Sequence, residues 1–380
     1  GKKGGKGHKK GKKQRTCFMK KIQLHDIHEG LGAKMLEFAG YQMPIQYRGV
    51  KEEHLCVRNG LGIFDVSHMG EFVLSGDGAL ELIQKVTTND ASMLSVGKVQ
   101  YSCMPNGKGG IVDDLLVYRM REEEYVLVVN ASNIKKDWDW IISHAPKNVQ
   151  MKDVSDNMSL FAVQGPKAAQ VMQRLTETKI SDMPYYSCMY TAFASCPLVL
   201  LSTTGYTGAG GYEIYVPNTH AEAVWNAIMK EGEKEGIQPI GLAARDTLRL
   251  EMGFCLYGND IDDTISPIEA GLGWITKFTK DFIDADLFKK QKEEGVAKKL
   301  VGFEILDRGI PRQGYVIVDS EGNEIGKVTS GTQSPVLEKG IGMGYVKTAF
   351  SKADTEIAIM IRDKAVKAKV VRPPFIEQKK

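Results

Sequence analysis

One ten-residue stretch limits the fold more than any other: Gly109-Gly110-Ile111-Val112-Asp113-Asp114-Leu115-Leu116-Val117-Tyr118. Its β-branched and leucine-rich composition after a glycine pair reads as a strand, in which successive side chains point to opposite faces. Asp113 and Asp114 therefore cannot both face solvent. One of them must look inward among apolar neighbours, at a cost of several kcal/mol unless it is hydrogen-bonded, paired or protonated. Two readings stand at this point: a carboxylate satisfied by backbone amides at a strand irregularity, or a group retained for chemistry.

At 380 residues and 42% hydrophobic content, the chain can bury a large core divided among two or three domains. Its formal charge of +3 is misleading, because residues 1–18 hold seven lysines and one arginine with no acid. Without them, 42 basic residues face 47 acidic ones. A nucleic-acid partner would rest on that tail alone, and the body lacks interleaved basic and aromatic residues, so none is expected. The tail is Gly/Lys-rich with almost nothing apolar and reads as disordered, more consistent with an upstream addition before Met19 than with a native basic arm. It has neither the apolar core of a secretory signal nor the amphipathic character of a mitochondrial presequence. No apolar run approaches the roughly 20 residues needed to span a bilayer, so no membrane association is expected. The six cysteines (Cys17, Cys56, Cys103, Cys188, Cys196, Cys255) form no Cys-x-x-Cys pair, which points to a reducing compartment without a structural zinc. His25, His28 and Glu29 mimic a metal pair in spacing, but no further ligands accompany them, and no metal is expected.

Residues 50–62 read as a helix ended by glycines. Ile63-Phe64-Asp65-Val66-Ser67-His68-Met69-Gly70 reads as a strand-like segment, with His68 more readily a core residue than a catalyst. A strand over 71–75 leads to a helix capped by Asp77 and running to about Val86. Strands over 99–104, 111–121 and 124–130 follow, then a helix over 133–144 with Ile134, Trp138 and Ile141 on one stripe. Another strand (159–164) and a short helix (168–175) come next. A strand over 198–204 enters the glycine-rich run 205–211. That run fits neither the Walker pattern nor a Gly-x-Gly-x-x-Gly helix start, and it reads as a hairpin turn into a strand over 212–216. Thr219 and Glu222 suggest a capping box for the next helix. Residues 241–251 read as a helix with Arg245 and Arg249 at i, i+4 forming a basic stripe, the alternative being a solvated face bridged to Asp246 and Glu251. A charged helical linker over 280–298 precedes short strands, at 300–305, 315–318, 324–328, 343–346 and 357–361, that read as a small all-β barrel or sandwich.

Six motifs stand out in order along the chain: Asp65-Val66-Ser67-His68-Met69, the Gly109–Asp114 run, Val163-Gln164-Gly165-Pro166, Gly205-Tyr206-Thr207-Gly208, the run from Gly241 to Glu251, and Leu256-Tyr257-Gly258-Asn259-Asp260. Taken together they resemble the aminomethyltransferase (T-protein) family of the glycine cleavage system. The resemblance covers residues 21–375 and implies an α+β molecule of three lobes. Two intertwined α/β subdomains (19–279) would form a folate-binding core, with a linker (280–298) and a C-terminal β-barrel (299–376). It further implies transfer of a methylene unit to tetrahydrofolate from an aminomethyl group on the lipoyl arm of H-protein. The partners are then tetrahydrofolate and lipoylated H-protein, with no metal, no membrane and no nucleic acid. The setting is the cytoplasm in a bacterial-type chain, or the mitochondrial matrix in a eukaryotic one. The family's catalytic aspartate falls on Asp114, and its folate contacts on Tyr101, Asn130, Tyr206, Glu213 and Arg245, with Trp274 lining the same cavity. Asp113 is read as supporting, Ser67 and His68 as neighbours of the pocket, and Arg249 as orienting its surroundings.

Three rival readings remain. The non-catalytic folate-binding relative of iron–sulfur and tRNA-modification type is marked by a Lys-Gly-Cys segment missing here. The folate-dependent half of sarcosine or dimethylglycine oxidising enzymes goes with a large flavin domain. The nucleic-acid reading rests on the tail.

Overall fold

Strand alternation sets out the core of the computed structural model, which describes residues 19–379. Five strands, Gly70–Ser75, Val99–Pro105, Ile111–Arg121, Glu124–Val129 and Gln150–Asp153, make one antiparallel sheet with Ile111–Arg121 next to the edge strand Val99–Pro105. A six-stranded sheet takes Gly62–Asp65, Met158–Gln164, Cys188–Phe193, Cys196–Ser202, Gly211–Pro217 and the short Gln238–Pro239. Gly62–Asp65 and Gly70–Ser75 are nearly consecutive yet lie in different sheets, so the chain passes from one sheet to the other between them.

The side chains of Ile111–Arg121 divide by parity. Leu115 and Val117 pack with the helices Ala79–Val86 and Ile134–Ile142. Leu116, Tyr118 and Met120 face the other way, into a layer shared with Phe64, Leu160, Ala162 and Tyr215 of the six-stranded sheet. Asp113 belongs to the first face and Asp114 to the second. Alternation on Gly211–Pro217 does the same, with Tyr212, Ile214 and Val216 in the outer core and Tyr215 in the inter-sheet layer. Glu213 shares the parity of Tyr215, so Asp114 and Glu213 look into one layer from opposite sheets.

Six strands, Lys298–Ile305, Val316–Val318, Glu324–Ser334, Lys339–Lys347, Glu356–Ile361 and Lys364–Val371, close into the C-terminal barrel. The last strand was not foreseen as an element because its KAVKAKVV alternation is between lysines and small residues, a weak apolar signal. Three other local expectations also shift. Asp77 accepts a hydrogen bond from Asn148 (2.8 Å) and does not cap the helix, whose N-cap is Gly78. Helix Asn218–Glu231 starts one residue before Thr219, so the capping box does not form, and Thr219 contacts His220 instead. The segment 280–298 is packed in its first half: Phe288 is fully buried against Phe282, and the ammonium of Lys280 caps the end of helix Ala79–Val86 at the carbonyls of Gln84 and Thr87.

Gly110 admits the one close approach that the aspartate strand requires. A Cβ there would lie 1.7 Å from the Asp263 carbonyl oxygen, where the loop after residue 253 crosses and Ile111 N–H donates to Asp262 (3.1 Å). Among the described residues no helix is long and apolar enough to cross a membrane.

Candidate active site

Asp113 is fully buried and its carboxylate is well supplied with donors. The side-chain amides of Asn130 (2.7 Å) and Asn133 (2.8 Å) donate to it, as do the backbone N–H groups of Asp114 (3.0 Å) and Asn130 (3.2 Å). Asp137, one turn along the helix from Asn133, receives no hydrogen bond from the described residues. Burial, and then the adjacent Asp113, push its pKa up to about 12. Asp137 therefore keeps its proton at neutral pH, where it is available to the Asp113 carboxylate as a donor. A neutral amide reproduces that donor, so Asp137→Asn is expected to change stability by less than about 1 kcal/mol, whereas Asp137→Leu strips a buried carboxylate of a partner and is expected to lose about 1–3 kcal/mol. Thermal or urea unfolding of the two variants measures the difference.

Asp114 is half-buried on the opposite face of the strand. Tyr101 O–H donates to one carboxylate oxygen and the Asn130 amide to the other, both at 2.7 Å. One Asn130 NH2 group thus spends its two protons on the two adjacent aspartates. Burial, reinforced by the Asp113 charge and opposed by the Tyr101 and Asn130 hydrogen bonds, raises the Asp114 pKa to about 7. The group can carry charge or proton within the physiological range.

Across the inter-sheet layer, Glu213 accepts from Thr204 (2.6 Å), and its second oxygen has no donor among the described residues. Thr204 is itself joined to Ser202 (2.6 Å), and both approach Tyr118 O–H, which bonds Tyr215 O–H at 2.6 Å. This chain of buried hydroxyls fixes the direction of the carboxylate. Burial raises the Glu213 pKa, while the Thr204 hydrogen bond and the Arg245 charge oppose the rise.

Arg245 lies over the Tyr206 ring, its guanidinium carbon 4.5 Å from the ring centroid, and has no hydrogen bond or ion pair among the described residues. It is a half-buried cation with five donors to spare. Tyr206 stacks on Phe254 (5.9 Å, 22°), and its hydroxyl donates to the Cys255 carbonyl. Cys255 links the two halves of the site, since its side chain packs in the same apolar cluster as Tyr101. Trp274 is 63% exposed with its ring 6.0 Å from that of Tyr101, so it stands at the rim.

The structure thus gathers Tyr101, Asp114 and Asn130 in one group and Tyr206, Glu213 and Arg245 in a second facing it, with Trp274 at the edge. Ser67 serves a turn: its hydroxyl donates to Asp65 and accepts from Leu160 N–H (2.9 Å). His68 is buried edge-on to Phe38 and Tyr41 with Nδ1 unpartnered, and burial, then the Arg245 charge, lower its pKa to about 3. His25 is committed to Gln42 (2.7 Å) and to contacts with Asp26 and Glu29, while His28 bonds Asp65 (2.7 Å). The solvated-face alternative for the arginine pair fails in part. Arg249 does bridge to Asp246 (2.8 Å), but Glu251 turns the other way, to His54 (2.8 Å) and Arg58 (2.8 Å).

Sequence reasoning missed Asn133 and Asp137, as well as Thr204, Tyr118 and Tyr215. Two patterns could have found them: polar residues at i, i+4 opening an otherwise amphipathic helix, and a tyrosine at the same strand parity as each proposed site carboxylate.

Residues 24–280 match the family described as the GCVT N-terminal domain, and residues 298–377 match the glycine cleavage T-protein C-terminal barrel domain. A protein of Flavobacterium psychrophilum named aminomethyltransferase is 61% identical over 95% of this chain and 100% of its own length. One of Bacteroides fragilis with the same name is 58% identical over 94% of this chain and 99% of its length. Among solved structures, the glycine cleavage system aminomethyltransferase T of Bartonella henselae superposes with a TM-score of 0.89 at 34% identity, covering 95% of this chain and 99% of that one. On the fold, the paired domains and the extent of these matches, the chain belongs to the aminomethyltransferase (T-protein) family of the glycine cleavage system.

Proposed function

We propose that this aminomethyltransferase moves the methylene unit of an aminomethyl group, carried on the lipoyl arm of H-protein, to tetrahydrofolate, releasing ammonia. The observation that carries the reading is Asp114. It is a carboxylate poised near neutrality, held by Tyr101 and Asn130, and turned into the layer that Glu213 and Arg245 face from the other side.

The donor is a sulfur–CH2–NH2 group. Breaking its carbon–sulfur bond sends the electron pair to sulfur and leaves CH2=NH2+. N5 of the folate attacks that carbon. Ammonia then leaves as N10 closes the ring. The proton lost from N5 goes to the thiolate and that lost from N10 to the departing amine, so the products are methylenetetrahydrofolate, dihydrolipoyl H-protein and ammonia. The transient species is a cation. A unit negative charge about 4 Å away stabilises it by roughly 4 kcal/mol at an effective dielectric near 20. Asp114 would supply that charge already oriented, and as a group that titrates near neutrality it can pass a proton between folate nitrogen and leaving group.

The second group suits the pterin. Its row of N–H donors matches the open oxygen of Glu213, and the free guanidinium of Arg245 can hold a pterin oxygen or a carboxylate. Tyr101 offers a ring face for a flat part of the ligand, and Tyr206 backs the Arg245 guanidinium that would meet it. Asn130 spends both amide protons on the aspartates, so its role here is to orient Asp114.

The deciding assay is ammonia release from aminomethylated, lipoylated H-protein with and without tetrahydrofolate. A rate that rises with folate and saturates is expected. Release at the same rate without folate would sink the reading.

A further inference from the structure

The C-terminal barrel holds no part of either side-chain group described above, yet it reaches one of them through a single buried network. Arg249 and Asp260 are both completely buried. The Arg249 guanidinium donates to Asp246 (2.8 Å), to Asp260 (2.7 Å), to the Phe254 carbonyl (2.8 Å) and to the hydroxyl of Ser330 in barrel strand Glu324–Ser334 (2.8 Å). Asp260 gathers the same region from the other side. It accepts from Leu256 N–H (2.9 Å), Thr329 O–H (2.6 Å) and Ser330 O–H (2.8 Å), and its carbonyl accepts from Tyr345 O–H (2.6 Å). Three barrel side chains on two strands therefore clamp residues 254–260.

That short loop is the support of the second group. Phe254 carries the ring on which Tyr206 stacks, and Cys255 carries the carbonyl that fixes the Tyr206 hydroxyl. At its other end Tyr257 O–H donates to the carbonyl of Ile111, the first residue of the aspartate strand (2.6 Å). The loop is a bracket with one foot on Tyr206 and the other on the strand of Asp114, and its centre is tied to the barrel.

We propose that the barrel acts as a positioning element for the folate pocket: Thr329, Ser330 and Tyr345, through the Arg249–Asp260 pair, set the Phe254–Cys255 seat on which Tyr206 rests. Arg249 and Asp260 are positioning residues that touch no substrate. A buried charge pair is weak evidence for net stability, and the use assigned to this network here is to fix one geometry of the loop. The inference rests on the folate reading above for its functional consequence, but the latch itself is a statement about side-chain coupling.

The experiment uses full-length variants Ser330→Ala, Thr329→Val, Asp260→Asn, Tyr206→Phe and Ser334→Ala. Ser334 is also a barrel residue bonded to helix Leu242–Met252, through Glu251, but among the described residues it has no hydrogen bond to the loop 254–260. Ser330→Ala and Asp260→Asn are expected to raise the tetrahydrofolate KM about tenfold, the scale of one hydrogen bond to a charged group, while kcat moves by less than about threefold. Tyr206→Phe combined with Ser330→Ala should be markedly non-additive, both in KM and in thermal unfolding, because the two substitutions loosen one latch. Ser334→Ala should lower thermal stability to a similar extent and leave KM unchanged. If Asp260→Asn fails to fold, the single hydroxyl removals Ser330→Ala and Thr329→Val carry the same comparison. Additive effects of Tyr206→Phe and Ser330→Ala on unfolding, or an equal KM rise in Ser334→Ala, overturn the proposal. The unfolding cycle needs no folate, so it judges the latch even where Glu213→Ala leaves folate binding unchanged and the folate reading itself has failed.

Discussion

Asp114→Asn is expected to bind tetrahydrofolate within about threefold of the parent protein and to turn over at least about a hundredfold more slowly, the scale of one charge-stabilising or acid–base group. The substitution keeps the shape of the side chain and the Asn130 or Tyr101 contact on its remaining oxygen, but it removes the charge that faces the developing cation. Its pH dependence is the sharper signature. The raised pKa of Asp114, about 7, means that the carboxyl is protonated below neutrality and anionic above it. If the anion is the active form, kcat/KM should climb as pH rises through about 7 in the parent protein and lose that limb in Asp114→Asn. Ammonia release from pH 5.5 to 8.5 measures both. Near-parental turnover in the variant, or an unchanged limb, removes Asp114 from the mechanism.

Glu213→Ala is expected to weaken tetrahydrofolate binding by about ten- to a hundredfold, which corresponds to about 1.5–3 kcal/mol for hydrogen bonds to a charged group. The Thr204 hydroxyl loses its acceptor in the same stroke, so the variant is also expected to be somewhat less stable. Folate-induced thermal shift separates the two effects: a ligand at 100 times its dissociation constant stabilises by about 2.7 kcal/mol, and a tenfold loss of affinity takes about half of that away. Arg245→Ala should behave alike, because among the described residues its guanidinium has only the Tyr206 ring against it and no hydrogen-bond acceptor. Glu213→Gln keeps the Thr204 contact and should fall between parent and alanine variant. A full thermal shift in Glu213→Ala would contradict its placement against the pterin.

How much of this was readable in the chain follows from which signals are local. The aspartate pair, its strand and the opposite facing of its two side chains follow from period-two alternation, which needs no partner. The helix Leu242–Met252 and the hairpin around Gly205–Gly211 are likewise written in short stretches. The donors that make the pair affordable were harder to see. Asn133 and Asp137 look like ordinary polar residues on a helix until that helix is laid against the strand. The expected caps of Asp77 and Thr219–Glu222 failed because a cap depends on a boundary placed to within one residue, and strand exits at Gly76 and Pro217 moved it. Arg249 is the clearest case of long-range information. Nothing in its i, i+3 or i+4 neighbours foretells a partner at Ser330, which arrives from another domain.

The order in which the two sheets are threaded has a consequence for biosynthesis. All five strands around Asp114 come from the contiguous stretch 70–153, whereas the six-stranded sheet waits for residues 62–65 to meet 158–164, 211–217 and 238–239. Tyr101, Asn130, Asn133 and Asp137 all fall inside the first stretch, so every partner of the two aspartates has left the ribosome before the chain that bears Glu213 is made. The hydrogen-bonded acidic centre can therefore form as a nucleus of short sequence separation, and Asp114 is desolvated only when the later sheet closes over its face.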